Sequence, residues 1–197
     1  MVKAAGMDSF NDRSTTASLL ATRRSGKARD MGPPGPDAEA LAAIIAAAAR
    51  VPDHGKLNPW RFVVVDDRAA FHQALLAAYL ADKPDAGRLE LDAVAQFATQ
   101  APVLVVAVFS PRESHIPLWE QQLSMGAACQ NLLLAAHAMG FVGNWLTGWA
   151  TYSAVVANTL GLAASERIAG FFFIGTQLKP LEERPRAAAA EVTAHWP

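Results

Sequence analysis

The sequence predicts a layered α/β or α+β domain, and three observations carry that prediction. Short runs dense in branched apolar residues, at 61–65, 103–109 and 168–174, have the length of strands rather than helices. Between them lie longer alanine- and leucine-rich stretches bounded by capping and breaking residues, as helices are. The chain of 197 residues is 52% apolar and 18% charged, enough to bury one substantial core and far from a disordered composition. No early strand leads into a Gly-rich turn, and neither GxGxxG nor a phosphate-loop sequence occurs. A Rossmann or phosphate-loop enzyme is therefore disfavoured.

Taken in order, residues 1–15 read as a flexible polar lead and 16–197 as one domain. Residues 18–24 read as a short helix ending at the Ser25-Gly26 turn, and 31–36 as Gly/Pro punctuation. Asp37 caps a helix that continues through 40–50, and Pro52 stops it. The run 61–65, closed by Asp66-Asp67, reads as a central strand. Residues 68–80 and 89–100 read as helices around a loop at 83–87. The run 103–109 is the next buried strand, and 110–117 is a loop. Residues 118–139 form the longest helix, with Gly140 just past its end. Met125, Ala128, Cys129, Leu132 and Leu133 leave that helix little wet surface. It lies at the centre of the domain or in a dimer interface. Residues 141–145 read as a strand, 153–160 as a short helix and 168–174 as an apolar strand. A polar loop at 179–186 precedes a short helix or an arm onto a neighbour at 187–196.

Composition excludes several functions. Net charge is −1 with no long basic tract, which argues against non-specific nucleic-acid binding. Cys129 is the sole cysteine, so an intrachain disulfide and a multi-cysteine metal site are ruled out, and a reducing cytoplasm fits. Asp8 and Asp12 interrupt the N-terminal stretch, which lacks an apolar run of signal length. No stretch reaches membrane-spanning length without a charge or a breaker. The low charged fraction places part of the apolar surplus in a subunit interface.

Four clusters carry chemistry. Arg23-Arg24-Ser25, with Lys27 nearby, is either a solvated cationic helix end or an anion-capture site with many donors. Arg50 and His54 sit in a Pro-rich turn ahead of Asn58-Pro59-Trp60, as functional loop residues or as ordinary turn residues. In Gly143-Asn144-Trp145-Leu146-Thr147-Gly148-Trp149, two glycines permit close approach to a planar ring. The alternative there is a packed turn with core tryptophans. His115, Trp119 and Glu120 lack the spacing of a metal site and read as a structural network or a substrate-side rim. Lys179 is a surface lysine unless a phosphate lies close. No G-x-S-x-G or hydrolytic triad spacing occurs.

In shared order and spacing, these pieces resemble the nitroreductase family, and look closest to its small YdjA-like branch. The resemblance runs from about Ala17 to Lys179, and includes Pro117-Leu118-Trp119-Glu120-Gln121 and Gly175-Thr176-Gln177-Leu178-Lys179. It implies an α+β sandwich around a mixed, mostly antiparallel sheet, assembled as an intertwined homodimer with two flavin mononucleotide (FMN) sites at the interface. It implies hydride transfer from NADH or NADPH through the flavin to a nitroaromatic, a quinone or a similar acceptor, with no catalytic side chain. Arg23, Arg24 and Ser25 would hold the flavin phosphate and ribityl oxygens. Arg50 and His54 would reach the same flavin from the other subunit. Trp145, Leu146 and Thr147 match the loop beside the flavin, Lys179 assists at the phosphate, and 135–140 aligns with a nicotinamide nucleotide segment. The branch often has Trp-Arg-Ser where this chain has Trp145-Leu146-Thr147. Other reactions on the same fold are enoate reduction, dehalogenation and flavin fragmentation, and a non-catalytic flavin-binding role is the remaining alternative.

Overall fold

The computed structural model describes residues 10–196, so the first nine residues of the predicted lead lie outside the described part. Residues 11 and 12 are tied to the domain. The Asn11 amide donates to the Arg24 carbonyl at 3.1 Å and accepts from the Arg24 N–H at 2.8 Å. The Asp12 N–H donates to Thr22 Oγ1 at 2.9 Å.

Five strands form one sheet in which every pairing among the described residues is antiparallel. They are β1 (Met31–Gly32), β2 (Trp60–Val64), β3 (Val103–Phe109), β4 (Val142–Leu146) and β5 (Arg167–Gln177). Strand β5 is the spine. Along one edge its residues 167–174 pair with the whole of β3, and β2 follows outside β3. Along its other edge it pairs with β4, and its last residues, Thr176 and Gln177, pair with β1.

Helices cover both faces. On one side lie α3 (Arg68–Asp82), α4 (Arg88–Thr99), α6 (Trp149–Tyr152) and α7 (Ala154–Thr159). On the other lie α2 (Ala38–Ala48) and α5 (Leu118–Ala138), while the short α1 (Thr16–Thr22) precedes them. The alternation of β3 serves both layers: Leu104, Val106 and Val108 enter the first core, and Val105, Ala107 and Phe109 the second. In β5, Phe171 and Phe173 face one way and Phe172 the other, all fully buried. Each such burial contributes roughly 1.5–3 kcal/mol. A sheet wet on neither side needs an unbroken apolar run, which is why β3 and β5 lack the polar alternation of half-exposed strands.

Helix starts follow side-chain caps. Asp37, Asp67 and Ser153 accept the N–H groups of Ala40, Ala70 and Val156. The long α5 stops where expected, with Gly140 in the left-handed region at φ +93°. No helix among the described residues is long and apolar enough to cross a membrane.

Two expectations change. Strand β2 is an edge strand, not a central one. Its Arg61 leaves the sheet to fork onto Glu166, with Nε–Oε1 and Nη2–Oε2 both at 2.8 Å. That fork holds the Glu166 carboxyl down at about 2. Helix α1 ends at Thr22, and Arg23 is already extended at φ −57°, ψ 131°. Arg23-Arg24-Ser25 is therefore a strand-like segment beyond the helix. The tail contains a 3-10 turn, Ala189–Glu191, and residues 182–196 are all exposed.

Candidate functional site

The extended segment after α1 runs beside the ends of β4 and β5. Gly26 fits closely there, since a Cβ would press on the Gln177 amide and on Val142. The Asn144 side chain donates to the Gly26 carbonyl. Arg23, Ser25, Asn144 and Gln177 are thereby gathered at one end of the sheet, where the last turn of α5 also arrives.

Arg23 is the outstanding cation of this cluster. It is half-buried, and its Nη2 donates to Ser25 Oγ at 2.9 Å. Its Nε–H is buried with no partner, and it pairs with no carboxylate among the described residues. Burial lowers its proton affinity, and the like charges of Arg186 and Arg24 lower it further. Three arginines converge with no carboxylate paired to them among the described residues. Beside them, Asn144 Oδ1 and Gln177 Oε1 are buried acceptors without donors. Orphaned groups of this kind are rare unless a ligand or water meets them.

The other cations nearby are spoken for. Arg24 donates to the carbonyls of Glu182 and Ser25, at 2.6 and 3.1 Å. Lys27 pairs with Glu182 at 3.3 Å. Lys179 lies at the same sheet end, with Nζ 2.7 Å from Asp30 Oδ1, a carboxylate held below its usual range by that contact.

His137, in the last turn of α5, is fully buried behind this cluster. Its Nε2 accepts the Gly143 N–H at 3.1 Å. The amide can only donate, so Nδ1 carries the ring proton in the neutral form. Burial, followed by the nearby Arg23 charge, pushes its pKa down to about 4. The helix end therefore adds no positive charge near neutral pH.

Arg50 and His54 are placed elsewhere. Residues 50–58 form a turn with Gly55, Lys56 and Asn58 at positive φ, pinned to α5 by three side chains. Asn131 donates to the Arg50 carbonyl at 2.9 Å, and Ser124 to the Pro52 carbonyl at 2.7 Å. Glu120 meets His54 Nδ1 at 2.7 Å. The contact assigns Glu120 to His54 rather than to His115. Arg50 lines a cavity of about 410 Å³ between α1, α2 and α5, together with Arg13, Leu19 and Ala135. His54 stands at the first turn of α5 and Arg23 near its last, with roughly 25 Å of helix between them. These two residues do not converge within one protomer.

In the third cluster, the Trp145 indole lies on Phe172 with centroids 5.3 Å apart, and its Nε1 donates to the Ala169 carbonyl at 3.0 Å. Leu146 turns the opposite way, into the core under α3 and α4. Thr147 begins the turn into α6 and faces a cavity. Asn144 and Gln177 lie inside motifs the sequence displays but carry no assigned role there, and Arg186 lies in none. Each acquires meaning through long-range placement, and none has a local signature.

The residues fit a phosphorylated, polyhydroxylated ligand: cations without counter-ions suit a phosphate, and bare amide oxygens suit hydroxyl donors. The comparisons agree in kind. The model of the Nitroreductase family matches residues 20–176. YdjA of Escherichia coli, named as a candidate NAD(P)H nitroreductase, is 36% identical over 169 residues, covering 82% of this chain and 88% of its own. A nitroreductase-like family protein from Bacillus cereus superposes with a TM-score of 0.77 at 21% identity, over 97% of this chain and 99% of that one. An FMN- and NADPH-dependent nitroreductase, NfnB from a Sphigopyxis species, gives a TM-score of 0.71 at 23% identity, over 93% and 99%. At those identities the structural likeness is one of fold.

Proposed function

The chain belongs to the nitroreductase family, and from that premise we propose that it is an FMN-dependent oxidoreductase of the YdjA-like branch. It takes hydride from NADH or NADPH and delivers it to a small acceptor, a nitroaromatic or a quinone. The observation that carries this reading is the half-buried Arg23, unpaired at Nε and flanked by two more arginines and two orphaned amide oxygens. The 36% identity to YdjA supports the branch.

In this reading Arg23 donates to the phosphate, Arg186 adds charge, and Ser25 offers its hydroxyl. Asn144 Oδ1 and Gln177 Oε1 accept from the ribityl hydroxyls. Lys179 reaches the phosphate when its pair with Asp30 opens, and Arg24 holds the C-terminal segment in place through Glu182. Trp145 forms a wall and Thr147 supplies a hydroxyl, with Leu146 backing the turn from the core. Arg50 and His54 complete the site from a second copy of the chain in a homodimer. When bound, FMN supplies the two-electron chemistry, which accounts for the lack of a nucleophile or an acid/base pair among these residues. The side chains position the cofactor, exclude water and place donors where negative charge develops.

The test is spectroscopic. Purified protein, reconstituted with FMN if isolated colourless, shows oxidised-flavin bands that bleach under anaerobic NADH or NADPH and return on adding a quinone. Flavin bands without bleaching would leave a binding protein or another reaction on this fold. A protein that cannot be loaded with FMN sinks the proposal.

A further inference from the structure

The turn after β4 also walls a cavity that the flavin contacts above leave unused. It is a half-open cleft of about 270 Å³ between α3, α4 and residues 147–150. Three aromatic rings line it, each pinned by its own contact. Tyr79 donates its hydroxyl to Glu90 Oε1 at 3.1 Å. Trp149 donates Nε1 to Asp82 Oδ2 at 2.9 Å, and the two rings meet edge-on at 4.7 Å. Phe97 stands edge-on to Phe171 and Phe173, at 5.1 and 5.3 Å. Walls held this way are ordered before a ligand arrives, so binding costs little side-chain entropy.

Size and charge define the occupant. A closed apolar cavity of about 150 Å³ already accepts benzene, so this cleft has room for a substituted ring. Among the described residues lining it, Glu90 is the one carboxylate and there is no cation. Both Glu90 oxygens are engaged, Oε1 by Lys83 and Tyr79 and Oε2 by the Gly87 N–H. An anionic ligand would lose its water and find no free charged donor in return. A neutral planar ring keeps its hydration cost low and gains edge-to-face contacts.

We infer that this cavity is a specificity subsite for a neutral, single-ring aromatic group of the electron acceptor. The ring site stands on the cavity alone, and its assignment to the acceptor rests on the flavin reading through the shared Thr147–Gly148 wall.

Two redox-inert probes matched in shape, p-cresol and 4-methylbenzoate, test it. Each is titrated calorimetrically into apoprotein and FMN-loaded protein, and its site is mapped by amide chemical shifts. The expected result is p-cresol binding about tenfold or more tighter than 4-methylbenzoate, with shifts confined to α3, α4 and residues 147–150. Ala93→Phe, which fills the cavity from α4, removes p-cresol binding and leaves FMN affinity unchanged. Ala93→Leu, a smaller filler, weakens it and serves if the larger side chain prevents folding. Equal affinity for both probes, shifts elsewhere, or full p-cresol affinity in a folded filled variant overturns the ring site. In FMN-loaded protein, Ala93→Leu raises KM for a neutral nitrobenzene acceptor several-fold with little change in kcat. An unchanged KM overturns the acceptor assignment while the mapped p-cresol contact upholds the ring site. Protein that binds p-cresol but never FMN keeps the ring site and retires the flavin reading.

Discussion

Arg23 is where a single side chain decides most. A guanidinium that is half-buried, partnered at one nitrogen by Ser25 and bare at another is an unfinished site. Arg23→Ala removes a charge-assisted bond worth about 1.5–3 kcal/mol, and FMN affinity should fall roughly ten- to hundredfold. Riboflavin, which lacks the phosphate, should bind both proteins alike. Arg23→Lys should not restore the forked contact. Equal FMN affinity in the alanine variant would return Arg23 to a solvated surface role. His137 gives a second residue-scale outcome. Its folded pKa of about 4 lies below the ordinary 6.5. Above pH 6.5 the ring is neutral in both states and its titration contributes nothing to stability. As pH falls from 6.5 toward 4, the unfolded chain takes a proton that the folded chain refuses, so stability declines by about 3 kcal/mol. Below pH 4 this group adds no further loss. His137→Gln, whose amide oxygen can still accept from Gly143, should flatten that window in urea unfolding. An unchanged slope would show that another group titrates there. The Arg-Arg-Ser triplet was legible in the sequence because it is contiguous. Asn144, Gln177 and Arg186 were not, since their roles arise from a carbonyl at Gly26, a strand end at β1 and a returning tail.

At the scale of elements, α5 is the member that organises the site. One end holds His137 under the Arg23 cluster, and its flank holds the turn of residues 50–58 through Glu120, Ser124 and Asn131. Asn131 bonds the Arg50 carbonyl just past the end of α2 and the Ala47 carbonyl, the latter shared with the Arg50 N–H. Asn131→Ala should cost about 1–2 kcal/mol and lower Tm by roughly 2–8 °C. A melting curve that matches wild type would mean water replaces the amide without loss. The extent of α5 was readable from composition and from Gly140, and β3 and β5 from their unbroken branched runs. The edge position of β2 was not read, although Arg61 within the strand was a signal that one side had to reach solvent or a counter-ion. The early stop of α1 had no local signal. Asn11 clamps the Arg24 backbone in extended form, and that contact spans a helix.

For the whole molecule, the separation of Arg23 from His54 is the deciding fact. Roughly 25 Å of α5 lies between them, so a site that uses both must draw them from two chains. The surface agrees with such an assembly: Leu118, Trp119 and Leu123 on α5 and Leu20 on α1 are all more than half exposed. Exposed large apolar side chains grouped on one helix mark an interaction surface. The prediction is complementation between variants. Arg23→Ala and His54→Ala proteins should each bind FMN weakly as homodimers. Unfolded together and refolded at equal ratio, they should form mixed dimers in which one site carries both substitutions and the other carries neither. That second site has wild-type Arg23 from one chain and wild-type His54 from the other. High-affinity FMN binding should then reappear in about a quarter of all sites, since half the dimers are mixed. If both residues served one flavin within a single chain, every site would keep one lesion and no such fraction would appear. Light scattering on the same samples separates the cases: a monomer that retains stoichiometric FMN would end the shared-site assignment for Arg50 and His54 while leaving the Arg23 phosphate site intact.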